Sequence, residues 1–174
     1  MATSDSPNPR ANPKFVFFTD FDGTITQQDS NDFLIENFGV GPDVRKEMFQ
    51  DILHGRRTFR DAFKEMLDSI SLPLDKCIAA LVENITLDEG FKSFYAWTRA
   101  NDIPVVVLSG GMAPIIHVLL AHLIGEDDIT ALRIVSSDVA ARPGKKVDEE
   151  GGWEIAFRDD RFAIPTVEVQ NPGL

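Results

Sequence analysis

Asp20 and Asp22 stand one residue apart in the run FFTDFDGTIT, and Gly23 follows them with the backbone freedom to turn sharply. In an extended segment the side chains at i and i+2 project the same way, so both carboxylates can face one site. Two such charges repel by roughly 4 kcal/mol at about 4 Å for an effective dielectric near 20, and a shared proton or a divalent cation must offset that. A hard cation such as Mg²⁺ takes one or two carboxylates together with phosphate oxygens and water, which suits the pair to phosphoryl chemistry. In that chemistry Asp20 attacks phosphorus to give an aspartyl-phosphate, while Asp22 protonates the leaving oxygen and then activates water. A polar turn closing a strand is the plain alternative, since Asp and Gly are common turn residues. Ser109-Gly110-Gly111, just ahead of a helical pattern, weighs against it. A hydroxyl and open backbone N–H groups at such a place can hold phosphate oxygens, with help from the helix dipole.

These residues need two strand ends lying side by side. KFVFFT, residues 14 to 19, is apolar on both faces and predicts a strand buried inside a parallel sheet; IPVVVL, residues 103 to 108, is a second such run. The second feeds a helical pattern at Ile115, Ile116, Leu119, Leu120, Leu123 and Ile124, closed by Gly125. Two buried strands, one followed directly by a helix, predict an α/β domain whose ligands bind beyond the strands' carboxyl ends. Between the strands the spacing predicts helices at 30 to 38, from Pro42 through Ile52, at 58 to 70, at 74 to 84 and at 89 to 100. Residues 30 to 85 are expected to form a helical insert over the sheet's carboxyl edge. Leu132 to Val139 reads as a third strand, joined through a Gly-rich turn to a hairpin partner at Trp153, Ile155 and Phe157. Phe91, Phe94, Tyr95 and Trp97 are expected in the core, and His54, His117 and His122 at the surface or at caps.

The chain has 174 residues, with 17 Lys+Arg against 28 Asp+Glu, for a net charge of −11. That length fits one modest domain, and 43% hydrophobic residues are enough to build a core. The acidic excess repels nucleic-acid phosphates and anionic lipid, so neither is an expected partner. Cys77 is the only cysteine, which excludes an internal disulfide and a cysteine-based zinc site. A reducing, cytosolic setting is the expectation. MATSDSPNPRANP is polar and proline-rich without an apolar signal core, and the most apolar window, Ile103 to Gly125, is broken by Pro104, Gly110, Gly111 and Pro114.

FFTDFDGTIT followed by VVVLSGG resembles the first two motifs of the haloacid dehalogenase superfamily. Within it the chain resembles the phosphoserine-phosphatase-like branch, and most closely its fungal polyol-phosphate and sugar-phosphate phosphatases, from about residue 14 to about 160. The resemblance implies a Rossmann-like parallel sheet, left incomplete here, with a helical cap inserted after the first strand. It implies a flexible leader at 1–13, a discontinuous core at 14–29 and 86–160, a cap at 30–85 and an atypical tail at 161–174. It makes Asp20 the nucleophile, Asp22 the general acid/base, and both of them Mg²⁺ ligands, Asp22 through its main-chain carbonyl. Gly23, Thr24, Asp29, Ser109 and Gly110 become substrate or phosphate contacts. The implied activity is a Mg²⁺-dependent phosphomonoesterase acting on a small phosphorylated metabolite; the oligomeric state is not implied.

Three departures from the branch bear on substrate and activity. Asp29 stands where phosphoserine phosphatases carry a glutamate that meets the amino group. Met66, seven residues after Phe59, stands where they carry an arginine that clamps the carboxylate; a thioether cannot replace a bidentate guanidinium, so a neutral polyol or sugar phosphate is expected, although Met66 also fits a plain core role. The family's later lysine and acidic motifs are missing: Lys145 and Lys146 flank a Pro-Gly turn as solvated charges, and Glu168 is the one acidic residue after Asp160. The first strand, central in the family, would then expose an apolar edge. A chain shortened near residue 160 and catalytically inactive, with at most a binding or regulatory role, is the second reading.

Overall fold

The structure, a computed structural model, describes residues 14–161; the expected leader and the tail beyond Arg161 lie outside the described residues. Its sheet has the order β1 (Phe17–Thr19), β2 (Val105–Met112), β3 (Arg133–Ala141), β4 (Trp153–Ala156). The first three strands are parallel and β4 pairs antiparallel with β3, so the expected α/β architecture and the hairpin partner are both present.

Among the described residues seven helices surround it: α1 (Ser30–Phe38), α2 (Gly41–Leu53), α3 (Phe59–Asp68), α4 (Leu74–Asn84), α5 (Phe91–Ala100), α6 (Ala113–Ile124) and the short α7 (Glu126–Ile129). The first six fall within a few residues of the periodic runs in the sequence. Local chemistry explains their ends. Asp29 and Thr58 cap α1 and α3 by accepting the N–H of Asp32 and Asp61, and Pro42 and Pro114 occupy first-turn positions of α2 and α6. Gly125, at φ +102°, takes up the conformation that ends α6. The four-residue α7 has too little periodicity to be seen in the sequence.

Pairing across the sheet sorts its side chains into two faces. Phe17 is level with Val105, and Thr19 with Val107; both valines are buried, and Phe17 packs edge-on against Phe94 of α5. The alternate residues Phe18 and Leu108 are 64% and 43% exposed, so among the described residues that face of the sheet is open. Here the structure corrects the reading of KFVFFT: among the described residues the strand is three residues long, at the sheet's edge, and Phe15, Val16, Phe17 and Phe18 all reach solvent. Trp97, expected in the core, is half exposed for the same reason, since the Phe17 ring it meets is itself on that edge, whereas Phe91 and Tyr95 are buried.

The helices α1 to α4 leave and rejoin the sheet through two stitched segments. Gln27 N–H donates to Thr86 O (2.9 Å), Asp88 N–H to Ile25 O (2.8 Å), and Thr26 bridges Leu87. The far side of the helices is held by β4 and by the connection that leads into it. Lys64 of α3 bonds both Asp68 and Glu154 at 2.9 Å, and the indole of buried Trp153 donates to Leu72 O. Lys145 and Lys146 sit in that connection as surface turn residues, as expected; Lys145 Nζ reaches the carbonyl of Glu150 at 2.9 Å.

Candidate active site

Asp20 is the first residue past β1, exposed, with one carboxylate oxygen accepting the Phe21 N–H at 2.7 Å. Phe21 and Ile25 are fully buried and plug the following loop into the core. The Phe21 carbonyl gathers the N–H groups of Thr24, Ile25 and Thr26 at 2.9 to 3.3 Å, a knot that only a sharp turn allows, and Gly23 supplies it at φ +68°. Gly23 and Thr24 themselves are exposed.

Asp22 is held differently. Its Oδ1 accepts the Ser30 N–H at 2.7 Å, at the start of α1, and its Oδ2 accepts the Asn31 side-chain amide at 2.9 Å. Burial, then the negative charge of Asp29, then more weakly that of Asp20, push its carboxyl up to about 6, against the opposing bonds from Ser30. Asp29 spends its side chain capping α1. Asp32, paired with Arg45 at 2.8 Å, is likewise pushed up to about 6 by burial and by Asp29.

Ser109 and Gly110 lie within β2, which runs to Met112 with a shift in register after Leu108; the strand ends four residues beyond the apolar run that announced it. Ser109 Oγ accepts the Gly111 N–H at 3.0 Å. Gly111 is the meeting point of the two loops. A Cβ placed on it would lie 3.2 Å from Asn31 Nδ2, 3.3 Å from Ser109 Oγ and 3.4 Å from Asp22 Oδ2.

A cleft of about 780 Å³ opens over these strand ends, lined by Asp20, Ser109, Gly110, Ser137 and Arg158 on its polar side and by Phe18, Leu108 and Val135 along the open sheet face. Asp22 is not among its lining residues; it stands behind Gly111. Two residues the sequence did not single out belong to this region. Asn31 would have been suggested by its place one residue into a helix that follows the acidic pair. Arg158, on a 3-10 helix Arg158–Arg161 after β4, carries no local signal; its neighbour Asp159 is bound by Arg60 at 2.7 Å, and the Arg60 guanidinium lies 4.0 Å from the Phe157 ring. Met66 is fully buried in α3, the core position it also fitted in the sequence.

A carboxylate at the carboxyl edge of a parallel sheet, beside a serine hydroxyl and backbone N–H groups, defines an α/β protein equipped to handle an anionic ester. Residues 17–161 match the model of the haloacid dehalogenase-like hydrolases, and the chain belongs to that family. It is 44% identical over 147 residues to the polyol phosphate phosphatase PYP1 of Saccharomyces cerevisiae, covering 84% of this chain and 58% of that protein. It is 43% identical over 143 residues to the Pdp3-interacting factor 1 of Schizosaccharomyces pombe, covering 82% and 60%. The chain thus spans about three fifths of the length of these two relatives. A substrate-bound phosphoserine phosphatase shares the fold with a TM-score of 0.61 at 17% identity, over 83% of this chain and 64% of that one. Among the described residues no helix is long and apolar enough to cross a membrane, and no group of three or more His, Cys, Asp or Glu side chains is gathered for a metal.

Proposed function

We propose that this chain carries the catalytic half-site of a Mg²⁺-dependent phosphomonoesterase acting on a small phosphorylated polyol or sugar through an aspartyl-phosphate. The observation that carries the reading is the exposed Asp20 carboxylate in one cleft with Ser109 and Gly110, with Asp22 fixed behind them. Asp20 attacks phosphorus and the bond to the ester oxygen breaks; Asp22 gives that oxygen its proton. Asp22 then takes a proton from water as the water attacks phosphorus, the bond to Asp20 breaks, and inorganic phosphate leaves. Ser109, Gly110 and the Arg158 guanidinium receive the phosphate oxygens. Gly23 and Thr24 shape the loop beside the nucleophile, and Asp29 contributes through the charge it adds near Asp22.

The donor set suits Mg²⁺. Asp20 offers a hard, exposed oxygen, and the family resemblance makes the main-chain carbonyl of Asp22 the second protein ligand. When bound, the ion neutralises charge on the phosphate and on the nucleophile. Residues 30–85 act as a cap over the core formed by 14–29 and 86–160, hinged where Thr26 bridges Leu87. The polyol or sugar assignment rests on the yeast relative's printed name. The reducing interior of the cell remains the setting that a lone buried Cys77 suits.

The test is hydrolysis of a panel of polyol and sugar phosphates by the purified full chain. Turnover should need added Mg²⁺ and stop with EDTA. Asp20→Asn should lower it at least ~10³-fold and abolish the acid-stable phosphoenzyme. Turnover unchanged in Asp20→Asn overturns the assignment of the nucleophile.

A further inference from the structure

We infer that Asn31 is a positioning residue that holds Asp22 in line for proton transfer, an inference that rests on the phosphomonoesterase reading. The carboxylate has two fixed points. Ser30 N–H holds Oδ1 at 2.7 Å and the Asn31 amide holds Oδ2 at 2.9 Å. One bond leaves a carboxylate free to swing about the bonded oxygen, whereas two bonds to different oxygens fix its plane. The oxygen that Asn31 holds is the one that approaches Gly111. Asp22 Oδ2 and Ser109 Oγ both lie within about 3.4 Å of the same point, the place a Gly111 Cβ would occupy.

The support beneath Asn31 is equally specific. It is 7% exposed, and it sits one residue into α1, whose start is fixed by the Asp29 cap and by the stitched segments at Thr26 and Leu87. Its amide is 3.2 Å from the point a Gly111 Cβ would occupy, so a larger residue at 111 would press on the amide that holds Asp22. A donor so placed acts through Asp22 without touching the ester.

The two halves of the reaction separate this role from simple packing. A 4-nitrophenolate leaving group departs without a proton, so phosphorylation of Asp20 by 4-nitrophenyl phosphate bypasses Asp22; an alkoxide such as that of glycerol does not, and hydrolysis of the aspartyl-phosphate needs Asp22 with either ester. The variants are Asn31→Ala and Asn31→Leu, the second keeping the volume while removing the donor. With the full chain and Mg²⁺, both should lower steady turnover of glycerol phosphate at least ~30-fold with KM within ~3-fold, while the first-turnover burst of 4-nitrophenolate keeps its rate within ~3-fold. Burst and steady rates falling together, or normal turnover in Asn31→Leu, overturns the inference. The second measurement needs no activity: in crystals of Asn31→Leu, Asp22 Oδ2 should leave the position it holds beside Gly111. An unmoved carboxylate overturns the positioning role. A wild-type chain that turns over no ester, with Asp22 displaced in the variant, sinks the phosphomonoesterase reading and leaves the positioning itself standing.

Discussion

Asp22 keeps a carboxylate largely out of water, with the charge of Asp29 close by and only neutral donors in contact with it, and its affinity for protons rises to about 6. The sign for stability follows. The folded state binds this proton more tightly than the unfolded chain, so the group's contribution is most favourable below about pH 4 and is lost as pH rises toward 6. A shift of this size corresponds to about 3 kcal/mol at most above pH 6. Asp22→Asn removes the buried charge, still accepts from Ser30, and can be met by a flipped Asn31 amide. In metal-free buffer it should therefore raise Tm above that of the wild type at pH 8, with the gap closing below pH 4; thermal melts across that range check it, and a gap independent of pH refutes it. The candidate site at this scale could be picked out because it is local in the chain: Asp20, Asp22 and Gly23 are neighbours, and Ser109 with Gly110 follows an apolar run. Asn31 and Arg158 were not legible, because what singles them out is the closeness of Gly111 in β2 to Asn31 and a cleft that takes in residues from β1 and from the segment after β4, which no window of sequence contains.

The helices were the readable elements, since a 3.6-residue apolar period over ten or more residues has few other interpretations. Strand ends were less so. β2 continues past its valines through Ser109-Gly110-Gly111, residues with poor strand propensity that fall in the register shift between the Leu108–Val135 and Met112–Ser137 pairs. The irregular β3–β4 connection was read only as a turn, yet it clamps α3 and α4 to the sheet. Gly152 is its tightest point: a Cβ there would fall 1.9 Å from the Lys146 carbonyl oxygen and 2.8 Å from that of Glu149, both backbone atoms that cannot step aside. Its own N–H and carbonyl bond Glu149 O and Arg142 N, so the loop cannot relax without releasing Trp153 from Leu72. Gly152→Ala should cost about 3 kcal/mol in urea unfolding. A cost under about 1 kcal/mol would mean that the connection does not clamp the helices.

Two forces act on the molecule as a whole and oppose each other. Among the described residues the edge at β1 is unpaired and presents Phe15, Val16, Phe17 and Phe18, and the open sheet face continues it through Leu108, a template for pairing with another chain. Apolar attraction of this kind is indifferent to salt at moderate concentration, whereas the net charge of −11 repels a second copy over a range set by the Debye length. At about 0.01 M salt that range is about 30 Å and repulsion covers the whole edge; at about 0.1 M it shrinks to about 10 Å and the edge is unguarded. Self-association should accordingly increase with salt, contrary to what ion-paired interfaces do. Sedimentation at a fixed protein concentration from about 0.01 to 0.3 M NaCl reads it directly. Phe18→Lys should hold the chain monomeric across that series, because it adds a charge at the edge and costs little where the native ring is already 64% exposed. A wild-type chain that stays monomeric throughout, or a Phe18→Lys chain that associates as readily as the wild type, would show that this edge is not what brings copies together.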